Sequence, residues 1–208
     1  MSLHNSAHWP EILFERMRER AGLLWKIEAG LKGAKLGQKI RFLGRPIITV
    51  ARGSQLILHD QTMLCSGKRS NPLGCFQPCV LRTVAHGAEL ILESGVGLSA
   101  GVICAARSVR VGQNTIMGAG AMIIDSDFHT LGPEGKWVND FAGTARPIVI
   151  GRSVFVGARA LILKGVTIGD RAVIGAGSVV TRDVPSGCVA AGNPASIVRQ
   201  QRIGDDRS

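Results

Sequence analysis

The stretch "IVIGRSVFVGARALILKGVTIGDRAVIGAGSVV", residues 148–180, repeats every six residues. An aliphatic or small residue opens each unit, and a second aliphatic follows two positions later. The opening positions are Ile148, Val154, Ala160, Val166, Ala172 and Ser178, and the second positions are Ile150, Val156, Ile162, Ile168, Ile174 and Val180. Because residues i and i+2 of a strand share a face, each unit presents two apolar side chains on one side.

A six-residue unit cannot bury its apolar face alone, whereas stacked coils share one continuous interior. Glycine follows four of the pairs, where the chain needs a tight turn. Poorer copies occur at Ile48/Val50 and Leu56/Leu58, and better copies at Leu90/Leu92, Val96/Leu98, Val102/Cys104, Val109/Val111, Thr115/Met117 and Ala121/Ile123, with one extra residue before Val109. The pattern predicts an all-β, three-sided parallel solenoid from about residue 40 to 190.

Two segments depart from this period on the N-terminal side. Residues 11–29 place Phe14, Met17, Ala21 and Leu24 at helical spacing, which predicts a helix that caps the open end of the solenoid. A basic helix lying on a membrane surface is the alternative for this segment. Residues 65–79, "CSGKRSNPLGCFQPC", contain glycine and two prolines and predict an ordered loop.

Composition narrows the classes of protein that fit. The chain has 208 residues, of which 45% are hydrophobic and 4% aromatic, so the core must be mainly aliphatic. A net charge of +10 is compatible with nucleic acid, anionic lipid or an anionic small molecule as a ligand. Nucleic acid is disfavoured because the sequence has no long Lys/Arg block and no known nucleic-acid-binding motif.

The number of cysteines predicts the cellular compartment, and their spacing argues against a metal site. An odd count of five cysteines, with no secretory-signal pattern at the N-terminus, favours the reducing cytoplasm. Cys65, Cys75, Cys79 and His86 could in principle bind zinc, but their spacing matches no standard zinc motif. No metal is therefore expected.

The regular pattern stops in "IIDSDFHTLG", residues 123–132, for about twenty residues. This break, the sustained period and the ending "IGAGSVVTRDVPSGCVAAGNPASIVR", residues 174–199, resemble the hexapeptide-repeat acyltransferases over roughly residues 40–198. "SNPLGCFQPCVLRT" and "VICAARSVRVG" resemble a branch that modifies sugars or glycan precursors. The resemblance implies a left-handed parallel β-helix that forms a homotrimer, with an N-terminal helical segment at 1–39, the acyltransferase domain at 40–198 and a tail at 199–208.

The resemblance also implies a catalytic site at the break. His129 matches the family's general base, and the following loop, about residues 130–146, would wall an acceptor pocket. Histidine suits this task because its ordinary pKa lies near 6.5. Asp127 is expected to orient the imidazole, although Asp125 would share its side of an extended segment and stays an alternative. The backbone near Ala158 is the expected oxyanion donor.

Acetyl-CoA is the co-substrate that the resemblance implies. The matching contact positions for the pantetheine arm are Ala119, Ala158, Ala176 and Thr181, and those for the phosphates are Arg182 and Arg199. Ser196 replaces a second family cation. The expected function is a cytoplasmic acetyl-CoA-dependent O-acetyltransferase of polysaccharide biosynthesis that acts on a sugar or glycan precursor. N-acetylation of an amino-sugar nucleotide and a non-catalytic β-helix scaffold are the alternatives.

Overall fold

The computed structural model describes residues 22–200, which contain a helical stretch at 22–31 and 22 short strands. In chain order the strands are β1 Lys35–Leu36, β2 Arg41–Leu43, β3 Ile47–Thr49, β4 Gln55–Leu58, β5 Met63–Cys65, β6 Val80–Thr83, β7 Glu89–Leu92, β8 Gly97–Ser99, β9 Val102–Ala105, β10 Ser108–Val111, β11 Ile116–Met117, β12 Met122–Ile124, β13 His129–Leu131, β14 Trp137–Asn139, β15 Ile148–Ile150, β16 Phe155–Val156, β17 Leu161–Ile162, β18 Thr167–Ile168, β19 Val173–Ile174, β20 Val179–Val180, β21 Cys188–Gly192 and β22 Ala195–Gln200.

Three parallel sheets form the sides of the solenoid. Sheet 1 has the order β1-β4-β7-β10-β15-β18, sheet 2 the order β2-β5-β8-β11-β16-β19-β21-β22, and sheet 3 the order β20-β17-β12-β9-β6-β3. Each coil visits sheets 1, 2 and 3 in turn, and the last strand, β22, pairs antiparallel to β21. The predicted left-handed parallel β-helix with a short N-terminal helix and an extended loop is confirmed.

The interior is the aliphatic stack that the six-residue period predicts. Val156 pairs with Met117 on one side and with Ile174 on the other, and all three side chains are buried. Because equivalent positions stack directly above one another, every coil contributes to one continuous hydrophobic cluster. The strands are only two to four residues long on most coils, so this shared core, rather than any single strand, stabilises the fold.

The predicted pair Val102/Cys104 is out of register by one residue. Ile103 is fully buried and pairs with Leu81 and Ile123 in the inward column, whereas Val102 is partly exposed. The first inward position of this coil is therefore Gly101. A Cβ at Gly101 would lie 2.9 Å from the backbone oxygen of Ala121 and would also press on Leu98, so the position favours glycine and supplies no apolar side chain to mark it.

The described part of the N-terminal helix packs on the first coils through a different face from the one predicted. Leu24 is 66% exposed, while Ala29 is buried and Trp25 packs against the core. Phe14, Met17 and Ala21 lie outside the described residues. Hydrogen bonds from Arg45 and then Lys32 lower the pKa of Glu28 to about 2, and the Arg45 contact ties the helix to the solenoid. Within residues 22–200, no helix is long and apolar enough to cross a bilayer.

All five cysteines are free and buried. The thiols of Cys75 and Cys79 both bond to the carbonyl oxygen of Cys65, at 3.3 and 3.2 Å, and burial raises the pKa of Cys79 to about 11. The thiol of Cys79 therefore packs as a neutral group. His86 is exposed, and among the described side chains no group of three or more His, Cys, Asp or Glu is arranged to hold a metal ion.

Candidate active site

The repeat is interrupted where the chain leaves sheet 3 after β12. The chain rejoins the solenoid at Arg146, whose N–H donates to the carbonyl oxygen of Asp125 at 2.8 Å. This bond holds together the two ends of the inserted segment 126–145, which we call the excursion. The intervening segment, predicted as a loop, contains an antiparallel hairpin of β13 and β14 in which His129 pairs with Asn139. His129 thus lies on the first strand of a hairpin that projects from the corner between sheets 3 and 1.

Asp125 is a structural residue. Its side chain is completely buried, and its carboxylate oxygens accept three hydrogen bonds from the corner of the preceding coil. The donors are the backbone N–H groups of Ala106 at 2.7 Å, Arg107 at 2.8 Å and Ser108 at 2.8 Å. Because both oxygens are used in this way, Asp125 fastens the coil from which the hairpin departs and is not available to orient His129.

A small hydrogen-bond network shapes the turn that carries Asp127 and His129. The hydroxyl of Thr144 accepts from the N–H of Asp127 at 3.1 Å and lies 3.2 Å from the hydroxyl of Ser126. Ser126 in turn accepts from the N–H of Phe128, which has a left-handed φ of 64°. This turn redirects the chain into β13, and an edge-to-face contact at 6.0 Å joins Phe128, before β13, to Phe141, after β14, across the base of the hairpin.

Asp127, His129 and Trp137 line one pocket of about 640 Å³. His129 is exposed there, so its imidazole is accessible to a bound molecule. In the single chain, the Asp127 carboxylate bonds to Nζ of Lys164. Among the described residues it makes no hydrogen bond to His129. The pocket therefore combines a solvent-accessible base, an aromatic wall and a carboxylate held by a cation.

Lys164 is a site residue that the sequence does not reveal. It lies at the corner after β17, in the coil that follows the hairpin, and is 37 residues from its partner Asp127. A lysine in a turn usually belongs to the solvated surface, so its identity alone carries no signal. Its position one coil beyond "DSDFH" on the same corner is the feature that could have indicated the contact.

The structure brings together three of the predicted coenzyme positions. Ala119, Ala158 and Ala176 occupy successive turns at the corner between sheets 2 and 3, which we call the alanine corner. Its turns stack through hydrogen bonds from the N–H of Arg159 to the oxygen of Ala119 at 3.0 Å, and from Gly177 to Ala158 at 2.8 Å. Among residues 22–200, the N–H groups of the three alanines have no hydrogen-bond partner, which leaves a line of donors along this corner.

The remaining predicted positions are spread over other sides of the chain. Thr181 and Arg182 follow β20 at the corner between sheets 3 and 1, and both are exposed. Arg199 is exposed on β22, opposite Val189, on sheet 2. One chain alone therefore does not assemble the predicted site, because sheet 3 separates the alanine corner from the corner that carries His129.

Comparison with known proteins identifies the repeat. The family model for the hexapeptide repeat of succinyl-transferase matches residues 147–182. The galactoside O-acetyltransferase of Escherichia coli (strain K12) is 54% identical over 54 residues, which are 26% of this chain and 27% of that protein. The 2,3,4,5-tetrahydropyridine-2,6-dicarboxylate N-acetyltransferase of Staphylococcus aureus (strain JH9) is 47% identical over 57 residues, which are 27% of this chain and 24% of that protein. The match thus spans about a quarter of the length of these curated relatives.

A solved structure extends the likeness of fold to almost the whole chain. The hexapeptide-repeat-containing acetyltransferase of Vibrio cholerae O1 biovar eltor, in complex with acetyl coenzyme A, covers 97% of this chain and 93% of its own, with a TM-score of 0.51 and 21% identity. At that identity the similarity concerns the fold. Taken with the six-residue period, it shows that the chain shares the fold of this hexapeptide-repeat-containing acetyltransferase, and the family model places the hexapeptide repeat itself at residues 147–182.

Proposed function

We propose that this chain is an acetyl-CoA-dependent O-acetyltransferase that acts on a sugar or glycan precursor, with His129 as the general base. The observation that carries the proposal is that His129 and Asp127 line one pocket at the point where the chain leaves the coil. The local identity to a galactoside O-acetyltransferase supports this choice of acceptor. Five unpaired cysteines fit a cytoplasmic location, and polysaccharide biosynthesis is the process we assign.

The proposed reaction needs few groups from the protein. The imidazole of His129 takes the proton of the acceptor hydroxyl as its oxygen attacks the thioester carbonyl. The carbonyl oxygen then carries negative charge, which the unpaired N–H of Ala158 stabilises. The carbon–sulfur bond breaks, the acetyl group stays on the acceptor oxygen, and the coenzyme sulfur leaves and receives the proton. Asp127, fixed by Lys164, stabilises the transient imidazolium by its negative charge.

The alanine corner suits the pantetheine arm of the coenzyme. Its small side chains let a ligand approach the backbone, and its free N–H groups can donate to the amide oxygens of the arm. The close packing of the coils there is seen at Gly118, where an added Cβ would lie 2.7 Å from the nitrogen of Ala158. We assign Thr181, Arg182 and Arg199 to the distal part of the coenzyme, with the two guanidinium groups on its phosphates.

Arg182→Ala is expected to weaken acetyl-CoA binding while leaving the fold unchanged. Loss of one charge-assisted contact costs about 1.5–3 kcal/mol, and each 1.4 kcal/mol is about a tenfold change in Kd. Calorimetric titration at low salt measures the change. Arg171→Ala is the matched control, because Arg171 is exposed at a different corner of the same coils. Equal affinities for wild type and Arg182→Ala would remove Arg182 from the site.

A homotrimer with shared sites is the second part of the proposal. His129 and the alanine corner lie on different corners of one chain, so a complete site needs a neighbouring subunit. Exposed apolar side chains on the outer face of sheet 2, such as Ile116 and Phe155, support a subunit contact because they pair on adjacent strands. Light scattering should give about three times the chain mass of 22.0 kDa.

Subunit mixing tests the shared site directly. His129→Ala and Ala176→Trp, which blocks the alanine corner, should each be poorly active as pure assemblies. A refolded mixture should regain turnover, because some clefts then combine a wild-type His129 with a wild-type alanine corner from the neighbour. A fully active monomer, or a mixture no more active than its parents, would contradict the shared cleft.

N-acetylation is the second candidate function, because the Staphylococcus relative is named an N-acetyltransferase. A screen of hydroxyl-bearing sugars against amino-sugar nucleotides, followed by free-thiol release from acetyl-CoA, separates the two. Mass spectrometry of the product then locates the acetyl group on oxygen or nitrogen. Absence of thiol release with every acceptor would instead favour a non-catalytic scaffold.

A further inference from the structure

The segment 66–78, which we call the side loop, is firmly attached to the solenoid. The side-chain amide of Asn71 donates to the hydroxyl of Ser99 at 3.0 Å, and that of Gln77 donates to the carbonyl oxygen of Ala100 at 2.9 Å. Between these anchors the side loop presents Phe76, whose side chain is 63% exposed. Because most of the Phe76 ring stays in water, it adds little hydrophobic stabilisation to the free chain. Its exposure on a loop that is held in place suggests a contact with another molecule.

Phe76 lies directly on the alanine corner. Its ring covers Gly120, where an added Cβ would be 2.5 Å from Cζ of Phe76. The guanidinium carbon of Arg159 lies 5.7 Å from the ring centroid, which is a cation–π contact. Gly120 and Arg159 directly follow Ala119 and Ala158, so the ring and the guanidinium adjoin the proposed path of the coenzyme arm.

Arg159 occupies a backbone position that the neighbouring turns give to glycine. The equivalent residues Gly120 and Gly177 have left-handed φ values of 76° and 68°, and Arg159 has a φ of 57°. Glycine adopts this conformation without the steric cost that a side chain meets. Arginine at position 159 therefore carries a conformational cost that glycine would avoid. Among residues 22–200 it makes no ion pair, so its charge is available to a ligand.

We propose that Phe76 and Arg159 form a subsite for an acidic sugar of the acceptor. This inference rests on the proposed function. The apolar C–H face of a pyranose packs on the exposed part of the ring, and a sugar carboxylate pairs with the guanidinium. The pair lies beside the first turns of the alanine corner, whereas the arginines assigned to the coenzyme phosphates lie in the last coil and on β22. The reacting end of the coenzyme, and hence the acceptor, belongs at the Phe76 end.

The test is direct binding by the full-length chain, which needs no turnover. The probes are an oligosaccharide that ends in glucuronate and the otherwise identical one that ends in glucose. Wild type should bind the acidic form at least about tenfold more tightly, the effect of one charge-assisted contact. Arg159→Gly should abolish that preference without lowering the melting temperature, because glycine is at ease at this φ. Phe76→Leu should lower the affinity for both oligosaccharides by a similar factor.

Arg171→Gly is the matched control. It removes the same charge from a left-handed residue, with a φ of 58°, at a corner away from the side loop, and should keep the preference. Binding of neither sugar, equal binding of both by wild type, or loss of acetyl-CoA affinity in Arg159→Gly would each overturn the subsite. Acetyl-CoA titration and thiol release are recorded separately. A failure of those two measurements with sugar preference intact refutes the acetyltransferase and not the subsite.

Discussion

Val156→Asp is expected to yield no folded protein. Val156 is 0% exposed and stacks between Met117 and Ile174 in the aliphatic interior. An unpaired carboxylate buried among hydrocarbon side chains costs several kcal/mol, and a typical domain has only about 5–15 kcal/mol of stability in total. Because each coil is stabilised by its neighbours, disruption of one central coil also exposes the coils on both sides.

Circular dichroism and soluble yield measure this outcome. Ser153→Asp is the matched control, since it introduces the same charge three residues earlier at an exposed turn position with a left-handed φ of 54°, which aspartate tolerates. The control should melt cooperatively near the wild-type temperature. Cooperative melting of Val156→Asp as well would mean that the inward register assigned to β16 is wrong.

His129→Ala should remove most turnover while leaving the fold and acetyl-CoA binding nearly intact. General-base catalysis contributes about 10²–10⁴-fold, so the loss of kcat should fall in that range. Asp127→Asn should cost less than His129→Ala, since it removes charge support and the contact with Lys164 but leaves the base in place.

Two measurements make this result specific. His59→Ala removes another exposed imidazole, on the turn after β4, and should retain full activity. Titration of His129→Ala with acetyl-CoA should reproduce the wild-type affinity, which separates loss of chemistry from loss of binding. Residual turnover above about a tenth of the wild-type value would be too high for a lost general base and would assign His129 a merely structural role.

The six-residue period was sufficient to predict the solenoid, because a pattern of i and i+2 apolar residues has few other ways to bury its side chains. It also located the break at His129, whereas Ala119, Ala158 and Ala176 came from the resemblance to the family. The predicted inward-facing pair Val102/Cys104 was wrong by one residue, because the first inward position of that coil is Gly101, which has no side chain. The predicted packing face of the N-terminal helix was also wrong. Leu24 fits the helical spacing but is exposed, whereas Trp25 and Ala29 contact the core.

Side-chain contacts between neighbouring coils were not predicted. The three bonds to Asp125 come from residues 17 to 19 positions earlier, which is about one coil, but the repeat does not indicate which polar side chain turns inward to accept them. Lys164 is 37 positions from Asp127, and this separation is not a feature of the repeat because the excursion between β12 and β15 changes the count. The hairpin within that excursion leaves even Leu131 and Trp137 exposed, so β13 and β14 showed no alternation of buried and exposed residues that would mark them as strands.

The hydrogen bond between Arg146 and Asp125 has a consequence for how this scaffold can acquire new specificities. Because it joins the two ends of the excursion, the coils above and below it meet as though nothing had been inserted. Doubling the length of such a closed loop adds only about 0.6 kcal/mol of entropic cost. The hairpin is therefore an interchangeable module, and evolution or design can lengthen, shorten or replace it to remodel the pocket that Asp127 and His129 line while the supporting coils keep their sequence.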